Sequence, residues 1–442
     1  MEGTRTLLIH SEEETAPRER LAALQLERLR ATIARLLDSV PPSRERLLAA
    51  GISSAADVTS LDQLPRLPFS SKSDLREHYP FGLLAVPRER LVRVQASSGT
   101  GGKPTVVGYT RRDLDTWTEV MVRCLTGAGV RRGMVVHNAN GYGLFTGGLG
   151  FHQAAERLGA TVVPVSAGFT ARQAMLLRDL GAQALCATPS YALHIAQAVR
   201  EAGVDPGGLE LEVGLFGGEP WTEGMRGQLQ AELGLAAVNF YGLSEIIGPG
   251  VAAECRAARD GLHVQEDHFL AEVVDPRTGE PLPPGQEGEL VFTTLTKEAL
   301  PLLRYRTGDI ASITLDPCEC GRTLARMSPV RGRRDDMLII RGVNLYPSEV
   351  ERVLLGVEGL APHYQLVVER PDTMDELKVA CEPLDGGADR GELAERAGRA
   401  LHAATGLNVA VELTDPGAVP RSEGKAVRVV DRRPAVRPRP AP

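Results

Sequence analysis

The sequence predicts an α/β protein with a large multi-sheet N-terminal domain, residues 1–332, and a small α+β C-terminal domain, residues 333–442. Three observations predict it. The chain has 442 residues, too many for one ordinary compact core. Between about 90 and 245, short apolar runs alternate with stretches of helical periodicity, the pattern of α/β units around a largely parallel sheet. After Arg333 the alternation restarts on a smaller scale, which sets the boundary near 331–335.

Taken in order, residues 16–50 repeat Leu, Ile and Ala at helical spacing and read as a long helix, a Pro-Pro break and a shorter helix. The runs GMVVHNA, ATVVPVSA, AQALCATPS and VGLFGGE are the strands of the α/β region, and ARQAMLLRDLG and YALHIAQAVREAG are among its helices. From about 262 to 316 the chain turns β-rich, with HFLAEVVDP and GELVFTTL joined by a turn-rich loop and ASITL following. The C-terminal unit holds LIIRGVNL, helix SEVERVLLG, strands YQLVVER and LKVACEPL, helix GELAERAGRALHAAT, and strands NVAVEL and AVRVVD. The proline-rich basic end from about 432 reads as a solvated, disordered tail.

Composition excludes several classes. A formal charge of −7 offers no basic field for nucleic acid. No run of about 18 apolar residues predicts a membrane span, and the N-terminus does not read as a secretory signal. Six cysteines, scattered apart from Cys318 and Cys320, do not form a disulfide framework, so the expected compartment is the cytoplasm.

Four motifs carry chemistry. In Ser97-Ser98-Gly99-Thr100-Gly101-Gly102-Lys103-Pro104-Thr105, small residues let backbone N–H groups approach a phosphate, hydroxyls add donors and Lys adds charge. It is not a Walker loop, because Ser97 and Pro104 stand where that motif needs Gly and Ser/Thr; alone, it also fits a flexible turn between strands. In Tyr241-Gly242-Leu243-Ser244-Glu245, an aromatic face can stack on a purine and a carboxylate can hold Mg²⁺. Upstream, Gly217-Gly218-Glu219-Pro220 permits close backbone approach or simply makes a turn. Asp309, at the end of RYRTGD, and Arg333 can hydrogen-bond a ribose or phosphate, although charge clusters are more often solvated faces. Lys425, in PRSEGKA, is taken singly a surface lysine.

The order and spacing of these motifs resemble the adenylate-forming superfamily of acyl-CoA synthetases, adenylation domains and luciferases. The wording SSGTGGKPTVVGYT, NGYGLFTGGLG, YGLSE, LRYRTGD, RGRRDDMLIIRGVNLYPSEVE and PRSEGKA is most similar to its phenylacetate–CoA ligase branch, over residues from about 17 to 431. The resemblance implies an ATP-dependent acid–thiol ligase that makes an acyl-adenylate of an aromatic carboxylic acid and passes it to coenzyme A, with Mg²⁺ as cofactor. It implies that Ser97, Ser98, Gly99, Thr100, Gly102 and Lys103 cradle the phosphates. Gly218, Glu219 and Pro220 would lie near the adenine, with Tyr241, Gly242 and Ser244 beside it. Glu245 would hold Mg²⁺, Asp309 and Arg333 the ribose, and Lys425 would stabilise the reacting oxygens. Asp335 matches the hinge about which the small domain rotates between half-reactions. Tyr142, Gly143, Phe145 and Gly147 would form the acid pocket. A homodimer is the assembly the resemblance suggests.

Cys318-Glu319-Cys320 can chelate one zinc if two more ligands come from elsewhere, and Cys255 and His263 are the candidates. The other reading is a pair of reduced thiols on a loop. Cys124, Cys186 and Cys381 sit in apolar patterns as packing residues. Gly101, Phe151-His152 and Phe169 depart from the branch's usual pattern, and the larger side chains at 151 and 169 reshape the acid pocket if they face it. Phenylacetate is the default substrate, a benzoate- or anthranilate-type acid its competitor, and a carrier-protein arm the alternative acceptor to coenzyme A.

Overall fold

The computed structural model describes residues 8–97, 104–341, 343–370, 375–384, 389–421 and 426–433, without the side chains of Pro206, Asp335, Ile339 and Asn344. The expected N-terminal pair of helices spans Arg18–Ser39 and Pro41–Ala49. Leu21, Leu29, Ile33 and Leu36 form the buried stripe of the first. Pro41 opens the second, where its missing N–H costs nothing. Arg18 pairs with Glu266, and Gln25 donates to the Glu266 carbonyl at 2.9 Å, tying the long helix to the body.

A nine-stranded sheet forms the centre. Its parallel half is ordered Thr161–Val163, Val135–Asn138, Ala184–Ala187, Val213–Gly217, Ala236–Leu243. Ala184–Ala187 and Val213–Gly217 are buried along their whole lengths. That explains why these strands read as continuous apolar runs: helices cover both faces of a parallel sheet. The sheet then continues antiparallel through Gly248–Ala253, Leu262–Val264, Arg326–Met327 and Ile313–Thr314. All parallel strands point the same way, so the loops after Asn138, Ala187, Gly217 and Leu243 share one edge, where α/β folds place ligands.

The predicted β-rich region is a four-stranded antiparallel sheet: Phe269–Val274, Gly288–Thr294, Tyr305–Ala311 and Gly332–Arg333. Beyond it, Leu360–Glu369 and Glu376–Pro383 pair antiparallel, flanked by Ala410–Leu413 and Val429–Asp431 in parallel register. Helices Pro347–Leu355 and Arg390–Thr405 supply a separate core around Val350, Leu366, Val379, Ala397 and Leu401. The chain is held beyond the expected start of the tail: Arg432 pairs with Glu369, and Arg433 with Asp375 and Asp431. The remaining tail, 434–442, lies outside the described residues.

One buried ion pair fixes the N-terminal segment to the body. Arg322 donates to Glu14 at 2.6 Å, and the Glu14 side chain is fully buried. Breaking such a pair strands the remaining charge without solvent. Arg322→Met is expected to lower the unfolding free energy by about 3–5 kcal/mol in denaturant titration, and Glu14→Gln on that background to recover part of the loss.

Candidate active site

The strands Arg93–Ala96 and Val106–Tyr109, which flank the phosphate-loop motif in sequence, pair antiparallel. Ser97 N–H donates to the Thr105 carbonyl at 3.0 Å, closing the base of the loop. Ser98, Gly99, Thr100, Gly101, Gly102 and Lys103 lie outside the described residues. The strand before the loop is bonded to the candidate acid loop: Ala96 N–H to the Leu144 carbonyl at 2.8 Å, and Gln95 Nε2 to the Phe145 carbonyl at 2.8 Å.

Glu245 lies just after the strand Ala236–Leu243, at the sheet edge that gathers the other candidates, and is buried. Its backbone is fixed by a neighbour the motifs do not reveal: Lys297 Nζ donates to the Glu245 carbonyl at 2.8 Å. Tyr109 OH donates to the Ile247 carbonyl at 3.0 Å, and Trp117 Nε1 to the Pro249 carbonyl at 2.9 Å. Tyr109 and Trp117 stack at 5.3 Å between ring centroids, and Lys297 lies over the Tyr109 ring. Burial pushes the Lys297 ammonium down to about 8. Gly242 faces the returning strand, where a Cβ would stand 2.0 Å from the Gly248 carbonyl oxygen, so no other residue fits. Ser244 Oγ lies 3.2 Å from Thr146 Oγ1.

Tyr241, Asp309 and Arg333 converge from two sheets. Tyr241 OH donates to one Asp309 oxygen at 2.6 Å, and Arg333 to the other at 3.1 Å. The same register sets Asp309 opposite Arg333, the last residue of its sheet. Burial, with the Asp309 carboxylate next, pushes the Tyr241 phenol well above its usual range. Asp335 follows within the short turn Arg334–Asp336; its side chain lies outside the described residues.

Gly218, Glu219 and Pro220 follow the strand Val213–Gly217. The Glu219 carboxylate accepts from Ser190 N–H at 2.8 Å, in the first turn of Pro189–Glu201, and from Ala426 N–H at 2.7 Å. The small domain is thus docked on the sheet edge. Lys425 lies outside the described residues.

The candidate acid loop runs between Asn138 and the helix Thr146–Leu158. Tyr142 OH accepts from Asn138 Nδ2 at 2.8 Å and lies 3.2 Å from His152 Nδ1. Gly143 and Phe145 belong to the same loop, and Phe145 is half exposed. Gly147 N-terminally precedes Gly148, where a Cβ would meet the Gly141 carbonyl oxygen at 2.7 Å and Tyr142 at 2.8 Å; the loop closes because that side chain is missing. Phe151 does not reach an open pocket. It is fully buried, edge-on to Phe240 at 4.9 Å, and is a core residue. Phe169 is largely exposed, at the start of Thr170–Asp179.

Away from this edge, Cys255, His263, Cys318 and Cys320 are all buried, and their ligand atoms lie within 4.8 Å of one another. Cys255 Sγ and Cys318 Sγ are 3.8 Å apart, and Cys320 Sγ is 3.5 Å from His263 Nε2. Arg322 also donates to Cys320 Sγ at 3.5 Å. Hydrogen bonding from Cys255, and from His263, pulls the Cys320 thiol far below its ordinary range.

The motifs do not reveal the roles of Lys297, Tyr109 and Trp117, because each acts on a carbonyl more than 50 residues away. Tyr109 stands within the wording SSGTGGKPTVVGYT, but nothing local there marks its bond to the Ile247 carbonyl.

Residues 5–295 match the AMP-binding enzymes, and residues 342–433 match the AMP-binding enzyme C-terminal domain. The chain is 53% identical to a phenylacetate–coenzyme A ligase of Thermus thermophilus, over 97% of this chain and all of that one. It is 46% identical to the phenylacetate–coenzyme A ligase of Escherichia coli, over 95% of this chain and 97% of that one. Among solved structures, 2-hydroxyisobutyryl-CoA ligase in its postadenylation state, in complex with R3-HIB-AMP, superimposes with a TM-score of 0.88 at 31% identity, covering 95% of this chain and 91% of that one. The same ligase in its thioesterification state, with 2-HIB-AMP and CoA, gives 0.71 at 32% identity and the same coverage. With both of its domains matched and its sequence shared end to end with these ligases, the chain belongs to the AMP-binding enzyme family, in its phenylacetate–coenzyme A ligase branch.

Proposed function

We propose that this protein activates phenylacetate with ATP and transfers the acyl group to coenzyme A. The observation that carries the reading is the convergence of Tyr241, Asp309 and Arg333 with the clamped Glu245 at the sheet edge on which the small domain docks. Two groups already bonded to Asp309 leave it oriented toward a diol, and the neighbouring guanidinium braces the same sugar. In the first half-reaction a carboxylate oxygen attacks the α-phosphorus and pyrophosphate leaves. In the second, the thiol sulfur attacks the acyl carbon and AMP leaves. The relatives of Thermus thermophilus and Escherichia coli are named for this acid.

Lys425, next in sequence to Ala426, is assigned the charge that offsets the approaching anionic oxygens. Glu245, a buried carboxylate, suits a hard cation such as Mg²⁺, which would offset the phosphates' charge when bound. The acid pocket is assigned to the loop carrying Tyr142, Gly143, Phe145 and Gly147. Asp335 is assigned the hinge.

A structural zinc fits the cysteine cluster. With Zn–S near 2.3 Å and Zn–N near 2.0 Å, a tetrahedral site separates its ligand atoms by roughly 3.5–3.8 Å, matching the 3.8 Å and 3.5 Å separations of Cys255–Cys318 and Cys320–His263. Such a site closes the loop that also carries Arg322 to Glu14.

The reading is tested by pyrophosphate release over a panel of aryl acids, followed by assay of acyl-CoA with free coenzyme A. Phenylacetate is expected to lead the panel. Adenylation without acyl-CoA would overturn the acceptor in favour of a carrier protein, and a benzoate or anthranilate preference would overturn the acid. Lys425→Ala is expected to slow adenylation by about 100-fold or more, and Asp309→Ala to raise KM for ATP by about 10-fold or more. For the metal, elemental analysis should find about one zinc per chain. Cys318→Ser/Cys320→Ser should remove it and lower Tm; full-length protein with no zinc and an unchanged Tm in the variant would refute the site.

A further inference from the structure

Several contacts that dock the small domain come from the segment that follows Lys425. Ala426 N–H meets the Glu219 carboxylate at 2.7 Å, and Arg428 donates to Ser190 Oγ at 3.2 Å. Glu219 also takes Ser190 N–H at 2.8 Å, so Ser190 and Glu219 form one receptor made of a strand end and a helix start. On its own domain Arg428 is braced: it lies 4.5 Å over the Tyr364 ring and 3.4 Å from Glu351, and Tyr364 OH donates to Glu351 at 2.9 Å. The Arg428 carbonyl in turn accepts from Leu366 N–H at 2.7 Å, fastening the segment to the central strand of the small domain. Beside this point Leu355 packs close to Gly224, where an added Cβ would stand 3.1 Å from the Leu355 Cβ.

The Glu219 carboxylate therefore spends both oxygens on backbone N–H groups, one from each domain. Nothing in a nucleotide-binding role requires the second of these bonds. We infer that Glu219 and Arg428 form an interdomain latch that holds the small domain on the sheet edge for adenylation and releases it for thioester formation. The inference rests on the two-step ligase reading for its kinetic consequences, and on geometry alone for its structural one. Both bonds are charge-assisted and partly shielded, which makes them strong enough to bias a domain equilibrium yet few enough to break in turnover. Glu219 and Arg428 are positioning residues in this scheme, acting through the docking of the small domain.

The test uses the full chain and its Glu219→Gln, Arg428→Met, Arg428→Lys and double Glu219→Gln/Arg428→Met variants. Adenylation is followed by pyrophosphate exchange, and thioester formation by adding coenzyme A to synthetic phenylacetyl-adenylate. Glu219→Gln and Arg428→Met are each expected to cut kcat for adenylation about tenfold, with KM for ATP nearly unchanged. The double variant should lose less than the product of the two, Arg428→Lys should recover part, and Arg428→Met should keep its rate of thioester formation. A raised KM for ATP at unchanged kcat in Glu219→Gln would overturn the latch in favour of direct nucleotide contact. Equal slowing of both half-reactions in Arg428→Met would reduce the contacts to packing. Energy transfer between dyes on the two domains of the ligand-free chain reads the latch without any chemistry: both variants should lower the closed population. Unchanged transfer would refute the latch, whereas absent adenylation in the native chain alone would refute the ligase reading.

Discussion

The loop that carries Glu245 stays where it is because buried donors hold its carbonyls at alternate residues. Lys297 takes the carbonyl of 245, Tyr109 that of 247 and Trp117 that of 249. The donors come from a strand, a helix and the loop after the strand Gly288–Thr294, so the loop is the point at which three separately folded pieces must agree. An ammonium held in this interior loses most of its hydration, and its proton affinity falls accordingly. The neighbouring aromatic face and the carbonyl offset part of that cost. With the backbone pinned, the strand before it can present Tyr241 to Asp309 across the gap between sheets, and the rest of the crevice is arranged around that bridge.

The two domains use opposite strategies for cohesion. The large domain interlocks through buried ion pairs such as Arg123–Asp267 and Arg226–Glu254, whose desolvation is tolerable only with several satisfied hydrogen bonds. The small domain has its own apolar core and meets the large one largely through polar contacts. Polar interfaces of that kind are typical where domains move relative to each other. The similarity to a related ligase is greater in its postadenylation state than in its thioesterification state, in keeping with the docked arrangement.

Much of this was legible in the sequence, for local reasons. The helix pair at 18–49 and the run of parallel strands announce themselves by period and by apolar continuity. The cysteine cluster was legible because two of its members sit on one turn, which limits how far the others can be. Lys297, Tyr109 and Trp117 were not, since their function is a bond to a distant carbonyl and carbonyls carry no sequence signature. Phe151 was read as a possible pocket residue because a helix covering a site and a core shows the same periodicity on both sides; only the position of Phe240 decides which side it faces. The Glu219 carboxylate illustrates the same limit. Its motif marks a strand end, but its second partner lies 207 residues away in another domain.

The bonds from Ala96 and Gln95 to the loop at 144–145 have a thermodynamic consequence. The strand ending at Ala96 and the loop at 144–145 are joined by one backbone bond and one side-chain bond, so fixing one lowers the entropy left to lose in fixing the other. With ATP and acid bound as proposed, ligands that each fix their own side of this junction would bind with positive cooperativity, and the coupling would be the same in both directions. An enzyme so wired would discriminate against spending ATP on an empty acid site without needing a separate sensor.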